Sequence, residues 1–473
     1  MNKKPNILSF CFSIGSRRQV VGVSELWSSR IFYPILHNSI TPILLVILIL
    51  STVTVKADIS DSPVINGPLT LVDAVQTALK YSPMVNAAQS QVTAAQARVG
   101  MARSMTRPQI SASAFAGTST MGDIITSPIS ISPTSIFSVP NRGGVTGQVG
   151  LMFPLFTGGR TSSAVRSAEA LSTAIASDST SVSQNTAMET KMAYHSALLA
   201  SESVNVYTNL VTEEQERVRV AEAAFKEGKI AKFDLLRNQS ALAESQQMLA
   251  NSERDAKVTL IDLKNVMGIS PASDLSLKDN LAYAEIPVDT NAYITKAEEN
   301  RPEIKSVSAK VKSAEANLQL AKSAYKPQIY GNAMQGVSAV SGGTDTGFTV
   351  GVTVGIPLVD GGQRSSAVKE AQSMLVVMKQ DERQALLDVQ KDVQKVVVEL
   401  QAADKNVRLA DAAVDQAQED YRVIMLRYEA GKSINVEVLD ALASLVRAQN
   451  NRLTVLYEHN IAKDKLARAL GEL

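Results

Sequence analysis

The chain has 473 residues, with 47 Lys and Arg against 46 Asp and Glu, 5% aromatic residues and a single Cys. A formal net charge of +1 does not argue for nucleic acid as a partner, and one Cys excludes a disulfide within the chain. Few aromatics beside abundant Ala, Ser, Val and Gln suit coiled coil better than an ordinary globular core.

Residues 1–57 read as a signal peptide. Lys3, Lys4, Arg17, Arg18 and Arg30 precede the apolar run Ile43 to Leu50, and Val55-Lys56-Ala57 offers a small-residue cleavage site ahead of Asp58. A membrane anchor is the alternative, but a spanning helix needs about 20 apolar residues, and this run is short and preceded by Pro42. Cleavage there would remove Cys11 and Trp27.

Residues 58–68 form a polar linker. Thr70-Leu71-Val72-Asp73 is a capping-box pattern that opens a helix to about Tyr81. Ser82-Pro83 restarts it, with Ser as N-cap and Pro at the first helical position, and Arg107-Pro108 stops the second helix.

Strands are expected at about 108–118 and 145–154. Val145, Val149, Leu151 and Phe153 alternate with Thr146, Gln148, Gly150 and Met152, the period of a strand. The Thr118 to Gly144 loop between them is rich in Ser, Thr, Pro and Gly. A long helix of about 159–226 follows, reverses at Phe225-Lys226-Glu227-Gly228-Lys229, and returns to Met267-Gly268.

After an inter-repeat linker, 272–290, the plan repeats. Gly361-Gly362 matches Gly158-Gly159, Gly431-Lys432 matches Gly228-Lys229, and Leu470-Gly471 matches Met267-Gly268, all at an offset of 203 (361 against 158). The chain is a tandem duplication, with repeats at 69–271 and 291–473. The second repeat has strands at about 327–337 and 348–357, a short loop near Ser341 to Thr346, and a long helix at about 361–428.

That helix carries the strongest pattern in the sequence. Val389, Val396, Ala403, Ala410, Ala417 and Ile424 recur every seven residues, as do Val393, Leu400, Val407, Val414, Tyr421 and Tyr428. The two series form one a/d seam, which needs a partner helix along its length.

Each repeat thus offers two strands of about ten residues, the length of a tilted membrane-spanning strand. Four strands cannot close a barrel, and an open edge cannot sit in lipid. Strands in a membrane therefore require several chains in one barrel. The alternative is a soluble four-stranded sheet at one end of a coiled coil.

Pro154-Leu155-Phe156-Thr157-Gly158-Gly159 and Pro357-Leu358-Val359-Asp360-Gly361-Gly362, with Phe225-x-x-Gly228 and Tyr428-x-x-Gly431, resemble the TolC family of outer-membrane channel proteins. In each repeat an acidic residue, Asp234 or Glu437, follows the turn Gly by six. The resemblance covers about Leu69 to Leu473.

It implies a fold that is mainly α with a small β part. Long coiled-coil hairpins in tandem and four transmembrane strands per chain would form, as a homotrimer, a shared 12-stranded barrel and a periplasmic helical tunnel. It implies a passive exit duct of a tripartite efflux pump or type I secretion system in the Gram-negative outer membrane. The partners would be a periplasmic adaptor, an inner-membrane ABC or proton-driven transporter, and outer-membrane lipid.

The same resemblance assigns Glu437 and Asp440 to acidic rings at the periplasmic entrance. They lie three apart, on one face of a helix; acidic residues are also simply favourable near a helix N-terminus. It assigns Asp234 and Tyr428 to contacts that hold the entrance closed, although Tyr428 also completes the seam. The family's pattern has an Arg two residues after the second turn Gly, and Ser433 stands there, so Lys432 or Lys229 would have to replace it. The helix tips Gly228, Lys229, Gly431 and Lys432 would meet the adaptor, or be plain helix–helix turns.

Nothing points to catalysis, a cofactor or nucleic acid. His195 and His459 sit on different helices and make no metal-ligand set. No Gly-x-Ser-x-Gly elbow or phosphate loop occurs. The competing function is a periplasmic coiled-coil adaptor or scaffold, which should carry a β domain between its helical arms.

Overall fold

The computed structural model describes residues 62–117, 144–340 and 343–473. The proposed signal peptide, 1–57, and the Thr118 to Gly144 loop up to residue 143 lie outside the described residues.

The first repeat begins with β1 (Gly67–Leu69), α1 (Leu71–Tyr81) and α2 (Pro83–Ser104). Thr70 caps α1 by accepting the Asp73 N–H at 3.2 Å, and Pro83 opens α2. Then come β2 (Gln109–Gly117) and β3 (Gly144–Phe156), followed by α3 (Arg160–Lys226) and α4 (Lys232–Met267). The second repeat runs β4 (Leu275–Leu277), α5 (Thr290–Asn300), α6 (Pro302–Ser323), β5 (Gln328–Val340), β6 (Gly343–Gly355), α7 (Gln363–Glu429) and α8 (Asn435–Ala469).

Helices α3 and α7 each run 67 residues, or about 100 Å at 1.5 Å per residue. Neither holds an internal Pro or Gly to break it. Each starts at a Gly in the left-handed region, Gly159 (φ 91°) and Gly362 (φ 95°). Helix α3 packs chiefly against α1, α2, α4, α6 and α8, and α7 chiefly against α5, α6 and α8.

The a/d seam of α7 is buried where the two series meet other helices. Val389, Val393, Leu400, Ala403, Val407 and Ala410 are all buried. From Val414 onward the seam residues are half-buried. Val397, outside both series, is also buried, because Ala297 of α5 joins Val393 and Leu400 in one cluster with Leu466 and Leu470. The first repeat has its own cluster around Tyr194, Leu198, Leu263 and Met267.

Both segments read as linkers contain a strand. β1 pairs in parallel with β4. Asp279 accepts the Leu71 N–H at 2.7 Å, filling an orphan donor at the start of α1, and accepts the Tyr194 hydroxyl at 2.9 Å.

The second sheet is antiparallel in the order β2-β3-β5-β6, so β3 and β5 join the repeats. The expected Ser341 to Thr346 loop is shorter than its Gly-rich sequence suggested. β6 already begins at Gly343, opposite Val340, with Thr344 and Thr346 opposite Ala339 and Val337. β-branched Thr at alternate positions keeps the backbone extended. Among the described residues, β2 and β6 each leave one edge unpaired. Phe348, Val350, Val352 and Val354 are exposed along one face of β6.

Among the described residues, no helix is long and apolar enough to cross a membrane. No domain interrupts either hairpin: five residues separate α3 from α4 (227–231) and five separate α7 from α8 (430–434).

Candidate functional site

The candidate residues gather at the two hairpin tips. A helix C-terminus leaves carbonyls without partners, and a left-handed Gly lets the chain turn back to satisfy them. Gly228 (φ 72°) donates to the Phe225 carbonyl at 2.9 Å, and Lys229 N–H reaches Ala224 O at 2.9 Å. Gly431 (φ 67°) repeats this with Tyr428 O at 2.9 Å, and Lys432 N–H with Arg427 O at 2.8 Å.

The side chains at the two tips differ. Lys229 forms an exposed ion pair with Glu227 of its own turn at 2.6 Å. Lys432 is exposed. Ser433 donates its hydroxyl to Glu437. The position that holds Arg in the family pattern thus serves here as a neutral donor to the carboxylate one turn later.

Glu437 and Asp440 are both exposed on the first two turns of α8, while Val438 between them is fully buried. Asp234 is half-buried in the first turn of α4, and Tyr428 is half-buried in the last turn of α7. Among the described residues, no hydrogen bond or ion pair links Asp234 to Tyr428, or either of them to Glu437 or Asp440.

Other residues tie the tips together. Asn435 Nδ2 of α8 donates to Asn238 Oδ1 of α4 at 3.0 Å, and both side chains are buried. About three turns back from the tips, Tyr421 of α7 bridges two groups on α3. Its hydroxyl donates to Glu213 Oε1 at 2.6 Å and accepts from Arg217 Nη2 at 3.1 Å. The Arg217 guanidinium lies 5.8 Å from the Tyr421 ring centroid, within cation–π range.

Glu214, beside this clasp, is buried at 4% exposure with Oε2 unpartnered. Burial pushes its carboxyl above the usual carboxylate range, Arg217 pulls partly back, and Glu213 adds to the rise. Burial and the bond to Glu213 likewise raise the Tyr421 phenol. Glu214 and Asp440 face one groove of about 570 Å³ between α3, α4 and α8, also lined by Tyr207, Arg237, Met248 and Arg447.

The sequence pattern missed this clasp. In the sequence Tyr421 is a seam residue like its neighbours, and Glu213 and Arg217 resemble ordinary helix-surface charges. The available signal was an aromatic hydroxyl at a seam position, since a half-buried phenol needs a polar partner.

Among the described residues, no group of three or more His, Cys, Asp or Glu is placed to hold a metal ion. The two helical His residues each face an Asp on another helix. His195 Nε2 of α3 lies 3.0 Å from Asp464 Oδ2 of α8, and Lys191 Nζ lies 2.9 Å from Asp464 Oδ1. His459 Nε2 lies 2.9 Å from Asp404 Oδ1 of α7, off the hydrogen-bond axis.

A sequence profile described as "Outer membrane efflux protein" matches residues 74–269 and 293–472. Protein CyaE of Bordetella pertussis is 25% identical over 414 residues, covering 86% of this chain and 83% of that protein. Outer membrane efflux protein BepC of Brucella suis is 23% identical over 415 residues, covering 85% and 86%. The crystal structure of the outer membrane protein VceC from Vibrio cholerae shares the fold with a TM-score of 0.70 at 17% identity, covering 85% of this chain and 96% of that one.

Proposed function

The chain belongs to the outer membrane efflux protein family, and from that premise we propose that three copies form one passive exit duct. The protein is an outer-membrane channel for efflux or secretion, with its helical hairpins in the periplasm. An adaptor reading has no room in the two five-residue reversals.

The observation that carries this reading is the sheet. Four strands with both edges unpaired and apolar side chains exposed on β6 are an unfinished barrel wall. In lipid every backbone group needs a partner, so β6 of one copy pairs with β2 of the next until the ring closes. Three chains close twelve strands.

The tips form the periplasmic entrance. Three copies bring Glu437 and Asp440 together as six carboxylates around one axis, which favours cations and repels anions. Tyr428 and Asp234 line the closing helix ends, and the Glu213–Tyr421–Arg217 clasp holds α7 against α3 behind them. Gly228, Lys229, Gly431 and Lys432 at the tips meet a periplasmic adaptor, which links the duct to an energy-supplying inner-membrane transporter of the ABC or proton-driven type. The chain itself supplies no chemistry to the cargo.

Conductance across planar bilayers tests this. Purified protein gives cation-preferring channels, and Glu437→Gln with Asp440→Asn lowers that preference severalfold. Protein that inserts but never conducts, even with both carboxylates neutralised, overturns the duct.

A further inference from the structure

The strand register shows where the apolar face of the sheet ends. Phe153 lies opposite Gly331, which lies opposite Val352; Phe156 lies opposite Ile329, which lies opposite Val354. Leu151 in the same way joins Ile110 to Ala333 and Val350. Directly paired residues share a face, so Phe156 is the last residue of β3 on the apolar, lipid-facing side. Ser111, Gly150, Met334 and Thr349 lie on the other face. β2, β3, β5 and β6 contain no Lys or Arg, and their one charged residue, Asp345, lies near the turn that joins β5 to β6.

Cations begin where the strands end. Arg107 lies just past α2, Arg160 opens α3, and Lys322 and Lys326 stand at and just past the end of α6. All four are exposed, and among the described residues no hydrogen bond or ion pair engages their side chains. The acid at this level, Asp360, is held by Arg364, which also donates to the Pro357 carbonyl at 2.8 Å. Arg160 runs against the usual rule for its position. A helix N-terminus favours an anion, yet α3 opens on a cation and has no acidic residue in its first turn.

Apolar side chains flank these cations. Leu155 and Phe156 are 54% and 48% exposed, and Leu358 and Val359 are 85% and 92% exposed. The exposure in the first repeat does not come from a missing second repeat. A Cβ at Gly158 would come within 2.5 Å of Lys326 Cβ, so the second repeat already packs on this junction. What stays open is a ledge, apolar toward the sheet and basic toward the helices.

We propose that this ledge binds anionic glycerophospholipids of the leaflet facing the periplasm. Acyl chains lie on Leu155, Phe156, Leu358 and Val359, and the headgroup phosphodiester accepts charge-assisted hydrogen bonds from Arg107, Arg160, Lys322 and Lys326. Lys and Arg stems lie along apolar surface while their charged ends reach the headgroup level. Attraction to an anionic surface grows with each basic residue and fades within a Debye length, which confines it to this boundary. A zwitterionic headgroup carries its own ammonium and gains less. The inference rests on the outer-membrane duct and adds the lipid that its periplasmic rim selects.

The test uses the full-length protein in mild detergent, mixed with equal amounts of phosphatidylglycerol and phosphatidylethanolamine of matched acyl chains. Native mass spectrometry counts the lipid retained on each particle. Wild type retains phosphatidylglycerol over phosphatidylethanolamine by at least about tenfold. Arg107→Gln, Arg160→Gln, Lys322→Gln and Lys326→Gln together abolish the preference. If that variant does not assemble, Arg160→Gln with Lys326→Gln, its fold checked by circular dichroism, lowers the ratio about threefold or more. Lys257→Gln, Lys305→Gln, Lys405→Gln and Lys463→Gln remove as much charge from exposed positions on the helices and leave the ratio unchanged.

A wild type without preference overturns the lipid site. So does a preference that the ledge variants keep or the helix variants lose. The same spectra give the chain count and separate the two failures. A three-chain particle without lipid preference overturns the site and leaves the duct standing; a one-chain particle overturns the duct.

Discussion

The two repeats follow one plan with different chemistry in their long helices. Helix α7 buries an apolar seam, with Val389, Val393, Leu400 and Val407. Helix α3 buries Ser163, Ser179, Gln184, Thr186, Thr190, His195 and Glu214 beside its Ala and Leu. The difference follows from position. Helix α3 is covered on several sides and meets polar backbone and side chains, as where Gln184 donates to Gly471 O at 3.1 Å. Helix α7 has a core on one side and leaves the other exposed, as at Val398 and Leu409. Polar groups therefore specify the joint between the repeats, and apolar groups fill the seam of the second hairpin, where packing relies on burying apolar area.

The sharpest way to break this contrast is at the in-chain joint. Asp464→Ala strands His195 and Lys191, and removing one partner of a buried pair costs about 3–5 kcal/mol. Chemical denaturation followed by circular dichroism measures it; a loss under about 1 kcal/mol would place little weight on the joint.

Next is Leu400→Ala, which gives the α7 seam the residue α3 has at the equivalent Ala197. Leu400 is fully buried, so the change costs about 2–5 kcal/mol, cavity included. Leu409→Ala, at an exposed position nearby on α7, should stay within about 0.5 kcal/mol in the same melt.

Acid titration separates the α7–α8 contact at His459 from the joint between the repeats at Asp464. Burial holds the His459 imidazole below its ordinary value, only partly offset by Asp404. The folded state therefore resists a proton that the unfolded state takes up, so stability falls as pH drops below about 6.5. The Asp464 carboxyl is raised by burial but held lower, on balance, by its bonds to His195 and Lys191. Its contribution persists above the ordinary carboxylate value of about 4 and is lost as pH falls below that. His459→Gln should remove the first loss and leave the second; melting temperature from pH 8 to pH 3 reads both.

The smallest effect is at the clasp. Tyr421→Phe keeps the ring and removes the hydroxyl shared by Glu213 and Arg217, worth about 1 kcal/mol. Single-channel recording should find the open state roughly fivefold more populated at that energy. An unchanged open probability would mean that the clasp holds the helices together without gating them.

The sequence exposed the architecture where one physical rule governed many residues. A seven-residue apolar repeat, absent Gly and Pro, and two matched turns made both long helices and their reversals readable. Other features depended on partners far away in the chain. The role of Tyr421 hangs on Glu213, 208 residues earlier. The strand through Thr344 and Thr346 was hidden by Ser341-Gly342-Gly343, which reads as loop until β5 is beside it. Ser433 signalled that an Arg-based lock was absent, and its bond to Glu437 needed coordinates. Asn238 and Asn435 carry no periodic signal, because one buried amide pair is invisible to a pattern.

The central claim is that one chain is a segment of wall and three make the duct. Native mass spectrometry of protein extracted from outer membranes tests it most directly. The account predicts a particle of three chains; a particle of one chain, or of any number other than three, would contradict it.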